Sequence, residues 1–326
     1  MVSSETLNSL NSLDSLNSLF SFHFSLMRKI IFTLTLVVLL GCSGGGKKPQ
    51  TAEPQESITT EITPEEILRY RVDHYWDDFD FEAGERVKEL NREQMVYAIS
   101  EYVTIIPEES ADSLMRALIH RASTSHDMLD YFATVCEIVL HNPNSPLRND
   151  EYYIPVLEEL VASPLLDEYE RIAPEYDLEI ARKNRIGTIA NDFVYTTADG
   201  SSHRMHDIEA SYTILMFSNP GCPMCREIME EITSSPLLNE LTERGDLRTL
   251  SLYPDEDLEA WHEHFEDMPT SWIRAYDKGQ NITHERLYNL SAIPALYLLD
   301  NQKRVIIKDG TSVPQIENII AYLESR

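Results

Sequence analysis

The spacing of apolar residues changes character at three places along the chain, and each change marks a segment. Residues 27–42 read Met-Arg-Lys, then an almost unbroken apolar run that closes with Leu39-Leu40-Gly41-Cys42. From Ser43 to Ile62 large apolar residues nearly vanish among Gly, Lys, Pro, Gln, Thr and Glu. From Thr63 to about Lys183 they recur every three or four residues, the period of a helix with one buried face. Beyond Ile186 they gather in short runs of four to eight, the length of buried strands.

The helical stretch opens at Thr63-Pro64-Glu65-Glu66, a capping box with proline at the first helical position. Leu68, Val72, Tyr75 and Trp76 continue it at helical spacing. A second start at Asn91 leads into Met95, Ile99, Tyr102, Val103 and Ile106. Further stripes are Ala111, Leu114, Met115, Leu118 and Ala122, then Met128, Leu129, Phe132, Val135, Cys136 and Val139. Pro143, Pro146, Pro155 and Pro164 are expected to divide the rest of this stretch into shorter helices. Cys136 falls on an apolar stripe and reads as a buried, inert thiol.

In the last part, Phe193-Val194-Tyr195 and the Asp199-Gly200 turn predict an opening hairpin. Residues 212–217 and 247–253 predict two strands, with a helix after the first. Leu258, Trp261 and Phe265 mark another helix. Residues 293–300 and 304–307, joined by Asn301-Gln302, predict a second hairpin, and Val313 to Leu323 a closing helix. Strand–helix–strand, hairpin, helix is an α/β sandwich with a mixed sheet, preceded by an all-helical domain. The expected divisions are a signal region at 1–41, a flexible tether at 42–62, a helical domain at 63–185 and the sandwich at 186–326.

Composition narrows the function. Of 326 residues, 42% are hydrophobic and 25% charged, and the formal net charge is −28. This is enough apolar material for sizeable cores, and an acid excess that excludes nucleic acid as a partner. Two positive charges before a short apolar run are the layout of a secretory signal. Residues 1–26 repeat Leu-Asn-Ser-Leu without basic residues, so Met27 is the expected true start. The ending Leu39-Leu40-Gly41-Cys42 resembles the bacterial lipobox, and the resemblance implies cleavage before Cys42, lipid on its sulfur and attachment to a bilayer. Ser43 after it is similar to the pattern of outer-membrane lipoproteins.

The chemistry is carried by Cys222-Pro223-Met224-Cys225, placed where a strand turns into a helix. A cysteine at a helix N-terminus faces free backbone N–H groups and the positive end of the helix dipole. These favour thiolate, so the sulfur of Cys222 is expected to attack near neutral pH. Cys225, one turn inside, is placed to attack Cys222 in turn and release a substrate thiol. Pro223 suits the first turn because its missing N–H would be unpaired there.

The run from Phe217 to Met229, with Ile293-Pro294 some seventy residues later, resembles the thioredoxin superfamily. Within it the chain is similar to envelope thiol–disulfide reductases of the TlpA and ResA type, related to the AhpC/TSA group. The helical half resembles the regions that precede thioredoxin modules in some Bacteroidota lipoproteins. The resemblance implies a cis bond at Ile293–Pro294 facing the sulfurs, with the backbone of Ile293 free to pair with an extended substrate. It also implies protein thiols and disulfides of the envelope as substrates, Gly221, Pro223 and Met224 beside them, an upstream electron donor, and no cofactor beyond the 222–225 disulfide. The sequence departs from the family at four places. Gly221 stands where an aromatic residue usually precedes the first cysteine, and Met216 where cytosolic thioredoxins bury an acid. Ile228 stands where some reductive relatives have glutamate, and the pair Pro223-Met224 matches neither the usual reductase nor the usual oxidase.

Other readings stay open on the residues alone. Zinc needs four ligands, and His203, His206, His262, His264 and His284 would have to complete the set; His262 and His264 are two apart on an expected helix and face different ways. Copper delivery through Cys222, Cys225 and Met224 is a better rival, because all three are soft ligands. A redox-inactive interaction module with a structural disulfide is the third.

Overall fold

A computed structural model describes residues 62–310 and 312–325. The signal region, Cys42 and nearly all of the tether lie outside them. The chain begins there with six helices: α1 (Pro64–Asp73), α2 (Arg92–Ile105), α3 (Ala111–Ala122), α4 (His126–Leu140), α5 (Asp150–Ala162) and α6 (Ile172–Ala181). The Thr63 box forms in full: the Thr63 hydroxyl accepts the Glu66 N–H, and the Glu66 carboxylate accepts the Thr63 N–H at 2.8 Å. α1 stops at Asp73, so Tyr75 and Trp76 reach the core from turns rather than from the helix. There Trp76 meets Phe79, Phe81, Tyr102 and Phe132 edge-on. The stripes of α2 to α4 are buried as the spacing predicts, except for the half-buried Leu114, and Cys136 is buried completely.

Pro155 does not divide a helix. It sits inside α5, whose first turn is capped by Asn149 accepting the Glu151 N–H at 2.9 Å. The ring removes the hydrogen bond to the Glu151 carbonyl. Tyr152, Tyr153, Ile154, Val156, Leu157 and Leu160 are all buried around it, which offsets that loss.

The second half contains β1 (Val194–Thr197), β2 (Ser202–Arg204), β3 (Tyr212–Phe217), α7 (Pro223–Ser234), α8 (Pro236–Arg244) and β4 (Leu247–Tyr253). α9 (Leu258–Glu263), β5 (Ile273–Tyr276), the short α10 (Asn281–His284), β6 (Ala295–Asp300), β7 (Val305–Gly310) and α11 (Val313–Glu324) come after them. The strands form one mixed sheet in the order β2-β1-β5-β4-β3-β6-β7. β3, β4 and β5 run parallel; β6, β7 and the β1–β2 hairpin are antiparallel to their neighbours. The architecture is a helical region followed by a thioredoxin-like mixed sheet, α/β overall.

β3 lies inside the sheet and is buried along its whole length. Its side chains alternate between faces, as a strand requires. Tyr212, Ile214 and Met216 join α7, α8 and α11 through Ile228, Ile232, Leu238, Leu241, Ile316 and Ile320. Leu215 and Phe217 enter the opposite cluster with Phe193, Tyr195, Tyr288, Tyr297 and Val305.

Charged groups latch the helical region to β7. The Lys308 ammonium lies 2.6 Å from Asp150 and donates to the carbonyls of Ala181 and Lys183. The Arg148 guanidinium lies 2.9 Å from Asp309, whose other oxygen accepts the Tyr297 hydroxyl. Burial pushes the Asp309 carboxyl up, with Arg148 opposing it. A buried ion with one partner removed is left in a poor solvent. Lys308→Met is therefore expected to lower unfolding free energy by about 3–5 kcal/mol in urea denaturation. A loss below about 1 kcal/mol, the scale of an exposed pair, would show that the latch is solvated.

Candidate active site

The sheet register assembles the site. Phe217, the last residue of β3, pairs with Leu252 of β4 on one side and Ala295 of β6 on the other. The chain leaves Phe217 into Ser218-Asn219-Pro220-Gly221 and enters β6 from Ile293-Pro294, whose peptide bond is cis. Both stretches emerge at the same end of adjacent strands. Cys222 and Ile293 pack against the same apolar cluster that contains Cys225.

Cys222 is the N-cap of α7 in extended conformation, with Pro223 as the first helical residue. Its sulfur accepts the Cys225 backbone N–H at 3.3 Å. Its own N–H donates to the Asn219 carbonyl at 3.3 Å, and its carbonyl accepts the Arg226 N–H at 3.2 Å. The tight entry requires φ of +67° at Gly221, a conformation that glycine adopts without a Cβ penalty. Cys222 is half-buried, whereas Cys225 is 1% exposed among Met216, Ile228, Leu296 and Val313. Burial first, and then a hydrogen bond with Cys222, push the Cys225 thiol up to about 12. Met216 and Ile228 are both buried in that cluster, so apolar side chains occupy the two places where relatives carry an acid.

A cavity of about 510 Å³ opens beside Cys222. The loop 218–222 forms its floor, and Arg226, Met229, Glu230 and Thr233 of α7 form one wall. The opposite wall is the segment from Trp261 to Pro269. In that wall the His264 Nδ1 lies 2.7 Å from an Asp267 carboxylate oxygen. A methyl group built on Gly221 would lie 3.6 Å from His264 Nε2, so the imidazole edge covers the glycine. Beneath, the hydroxyls of Ser218 and Ser251 are 3.0 Å apart and buried.

The structure thus brings together Gly221, Cys222, Cys225, Ile293 and Pro294. Pro223 and Met224 lie exposed on the outer side of the first turn. The soft donors of the copper reading diverge, Met224 at 54% exposure and Cys225 at 1%. The histidines weighed for zinc are scattered: His206 meets the Ala190 carbonyl at 2.8 Å, and His262 stacks edge-on against Trp261. Among the described residues no group of three or more His, Cys, Asp or Glu could hold a metal ion. His264 is legible in the sequence only as a potential metal ligand; the signal that could have found its role is His-x-x-Asp spacing at a helix end. Among the described residues no helix is long and apolar enough to cross a membrane.

Comparison with known proteins matches these two halves to two families. Residues 47–184 match a domain of unknown function, DUF5106, and residues 210–305 match a family described as thioredoxin-like. The crystal structure of a thioredoxin-like protein from Bacteroides caccae is 36% identical, covering 86% of this chain and 99% of that one, with a TM-score of 0.76. The C-terminal domain of a Bacteroides fragilis protein is 41% identical over 42% of this chain and 98% of its own, with a TM-score of 0.41. Mouse nucleoredoxin is 27% identical over 34% of this chain. The chain spans about a quarter (26%) of that protein's length.

The different burial of the thiols sets their reactivity. Burial alone pushes the Cys136 thiol up to about 12, like that of Cys225. A raised value leaves the thiolate scarce at neutral pH, and the thiolate is what alkylates. Iodoacetamide added to the reduced native chain is expected to label Cys222 and spare Cys136 and Cys225, with labelling of the latter two rising only as pH climbs towards 12. Peptide mass mapping after a timed quench checks this; equal labelling of Cys222 and Cys225 contradicts it.

Proposed function

This chain belongs to the thioredoxin-like protein family, and from that premise we propose that it is a thiol–disulfide oxidoreductase that reduces disulfides of envelope proteins. The observation that carries the reading is the half-buried sulfur of Cys222 capping α7, with Cys225 one turn behind and a cis proline beside both. The Cys222 thiolate attacks a substrate disulfide and forms a mixed disulfide, releasing one substrate sulfur. Cys225 then attacks Cys222, forms the 222–225 disulfide and releases the other. The exposed backbone at Ile293 pairs with an extended substrate segment, as an added strand would. An upstream donor returns two electrons to the pair. The reading places the chain with reductases of the TlpA and ResA type, and puts it on the periplasmic side of a membrane through lipidated Cys42, the outer membrane being favoured.

The two roles differ in what their loss does. Cys222→Ser is expected to abolish reduction of a protein disulfide such as that of insulin, and Cys225→Ser to accumulate mixed disulfides that a reductant releases. The reduction potential of the pair, measured against glutathione, decides direction: a value near that of thioredoxin, about −270 mV, fits a reductase, and one near −120 mV fits an oxidant. Full turnover in Cys222→Ser would end the redox reading. For the anchor, Cys42→Ser is expected to move the protein from the membrane to the soluble fraction; unchanged membrane association contradicts lipidation there.

A further inference from the structure

We infer that His264, oriented by Asp267, donates the proton that the departing substrate thiolate takes up when Cys222 attacks. The inference rests on the redox reading above and adds to it a residue and a binding place for the leaving half of the substrate. Three observations carry it. The imidazole belongs to the cavity wall facing α7, with Nε2 over Gly221, the residue directly before Cys222. Asp267 engages Nδ1 at 2.7 Å, so Nε2 is the nitrogen turned to the cavity. On its other side Cys225 packs in an apolar cluster with Met216, Ile228 and Leu296, whose side chains carry no ionisable group. A surface His–Asp pair at a helix end is common as a local cap, but capping does not require the ring to close over a glycine beside a nucleophile.

Gly221 is part of the device. A larger residue there would carry its side chain towards the space that the imidazole fills. Ile293, before the cis proline, packs with Cys222 against the apolar cluster, while the cavity is lined by α7 and the segment from Trp261 to Pro269. One sulfur of the substrate therefore sits along Ile293, and the other departs into the cavity.

With the Cys222 proton held on His264, the Cys222 thiolate attacks one sulfur of R–S–S–R′. The Cys222–S–R bond forms, the S–S bond breaks and its electron pair leaves on R′–S⁻. That sulfur takes the proton from His264 Nε2 and departs as R′–SH, leaving a neutral imidazole. When Cys225 closes the 222–225 disulfide, R–S⁻ departs and is protonated by the proton that Cys225 gives up. The substrate disulfide gains two electrons and the cysteine pair loses them.

The test compares two disulfides reacting with the reduced full chain. An alkyl disulfide, 2-hydroxyethyl disulfide, releases a basic thiolate that benefits from a proton. An aryl disulfide, 5,5′-dithiobis(2-nitrobenzoate), releases a thiolate that does not. Dividing the two rates cancels any change in the amount of Cys222 thiolate. His264→Gln is expected to lower the alkyl-to-aryl ratio about tenfold, below the usual general acid range because a thiolate is already a tolerable leaving group. Asp267→Asn lowers it in the same direction. Arg226 and Glu230 line the same cavity as His264 and Asp267, whereas Arg274 is turned onto the Phe265 ring. An unchanged ratio, or equal slowing with both disulfides, overturns the inference while Cys222→Ser remains inert. A Cys222→Ser chain that still reacts would instead remove the redox reading.

Discussion

A helix that starts inside a protein needs an acceptor for its first free N–H groups, and in this chain one such acceptor is a cysteine sulfur. Thr63, Asn91, Ser125, Asn149, Ser235 and Asp257 cap their helices with oxygen. At α7 the sulfur of Cys222 takes that place. The cap holds the Cys222 sulfur at the tip of the helix, and the same bond fixes Cys225 beneath it, because the donor is the Cys225 backbone. Positive φ at Gly221 and the proline at position 223 both serve that geometry. Loss of the cap would free the sulfur and disturb the helix start together, so the local fold and the chemistry are one constraint.

The sheet turns that local motif into a site. β3 is buried on both faces and held between β4 and β6, so the point where it ends is set by the core. Phe217 and Ala295 are paired, and the loops leaving them are therefore neighbours whatever their own sequence. The latch of Arg148, Asp150, Lys308 and Asp309 ties the helical region to β7, next to β6. Buried ions of this kind are a poor source of net stability, but they are directional. They fix where the helical region sits against the outer strand of the same sheet whose inner strands carry the site.

Much of this is legible in the sequence because it is written in short-range pattern. The caps at Thr63 and Asn91, the stripes of α2 to α4, the hairpins and the strand before Cys222 all arise from residue spacing. β5 leaves no such mark: it has four residues with Arg274 in the middle, and it is a strand only because β4 and β1 flank it. α8 is hidden because it comes after α7 with one intervening residue, Ser235, which serves as C-cap of one helix and N-cap of the next. Pro155 has the local signature of a breaker, and the burial of its neighbours overrides that rule. The approach of His264 to Gly221 cannot be read from sequence, since the two lie over forty residues apart and glycine carries no side chain to betray the contact.

The departures from the family pattern make sense together. An acid under the resolving cysteine would give its proton a route through the core. Met216 and Ile228 close that route, and burial, then the hydrogen bond with Cys222, push the Cys225 thiol up. Proton traffic must then use the wetter face of the pair. That face is the cavity, whose ionisable lining besides Cys222 consists of Arg226, Glu230, His264 and Asp267. An aromatic residue before Cys222 would crowd the cavity, whereas glycine leaves it open and lets the imidazole approach. The apolar residues beneath the cysteines and the glycine before them thus favour one arrangement, in which the inferred proton transfer uses the surface beside the sulfurs.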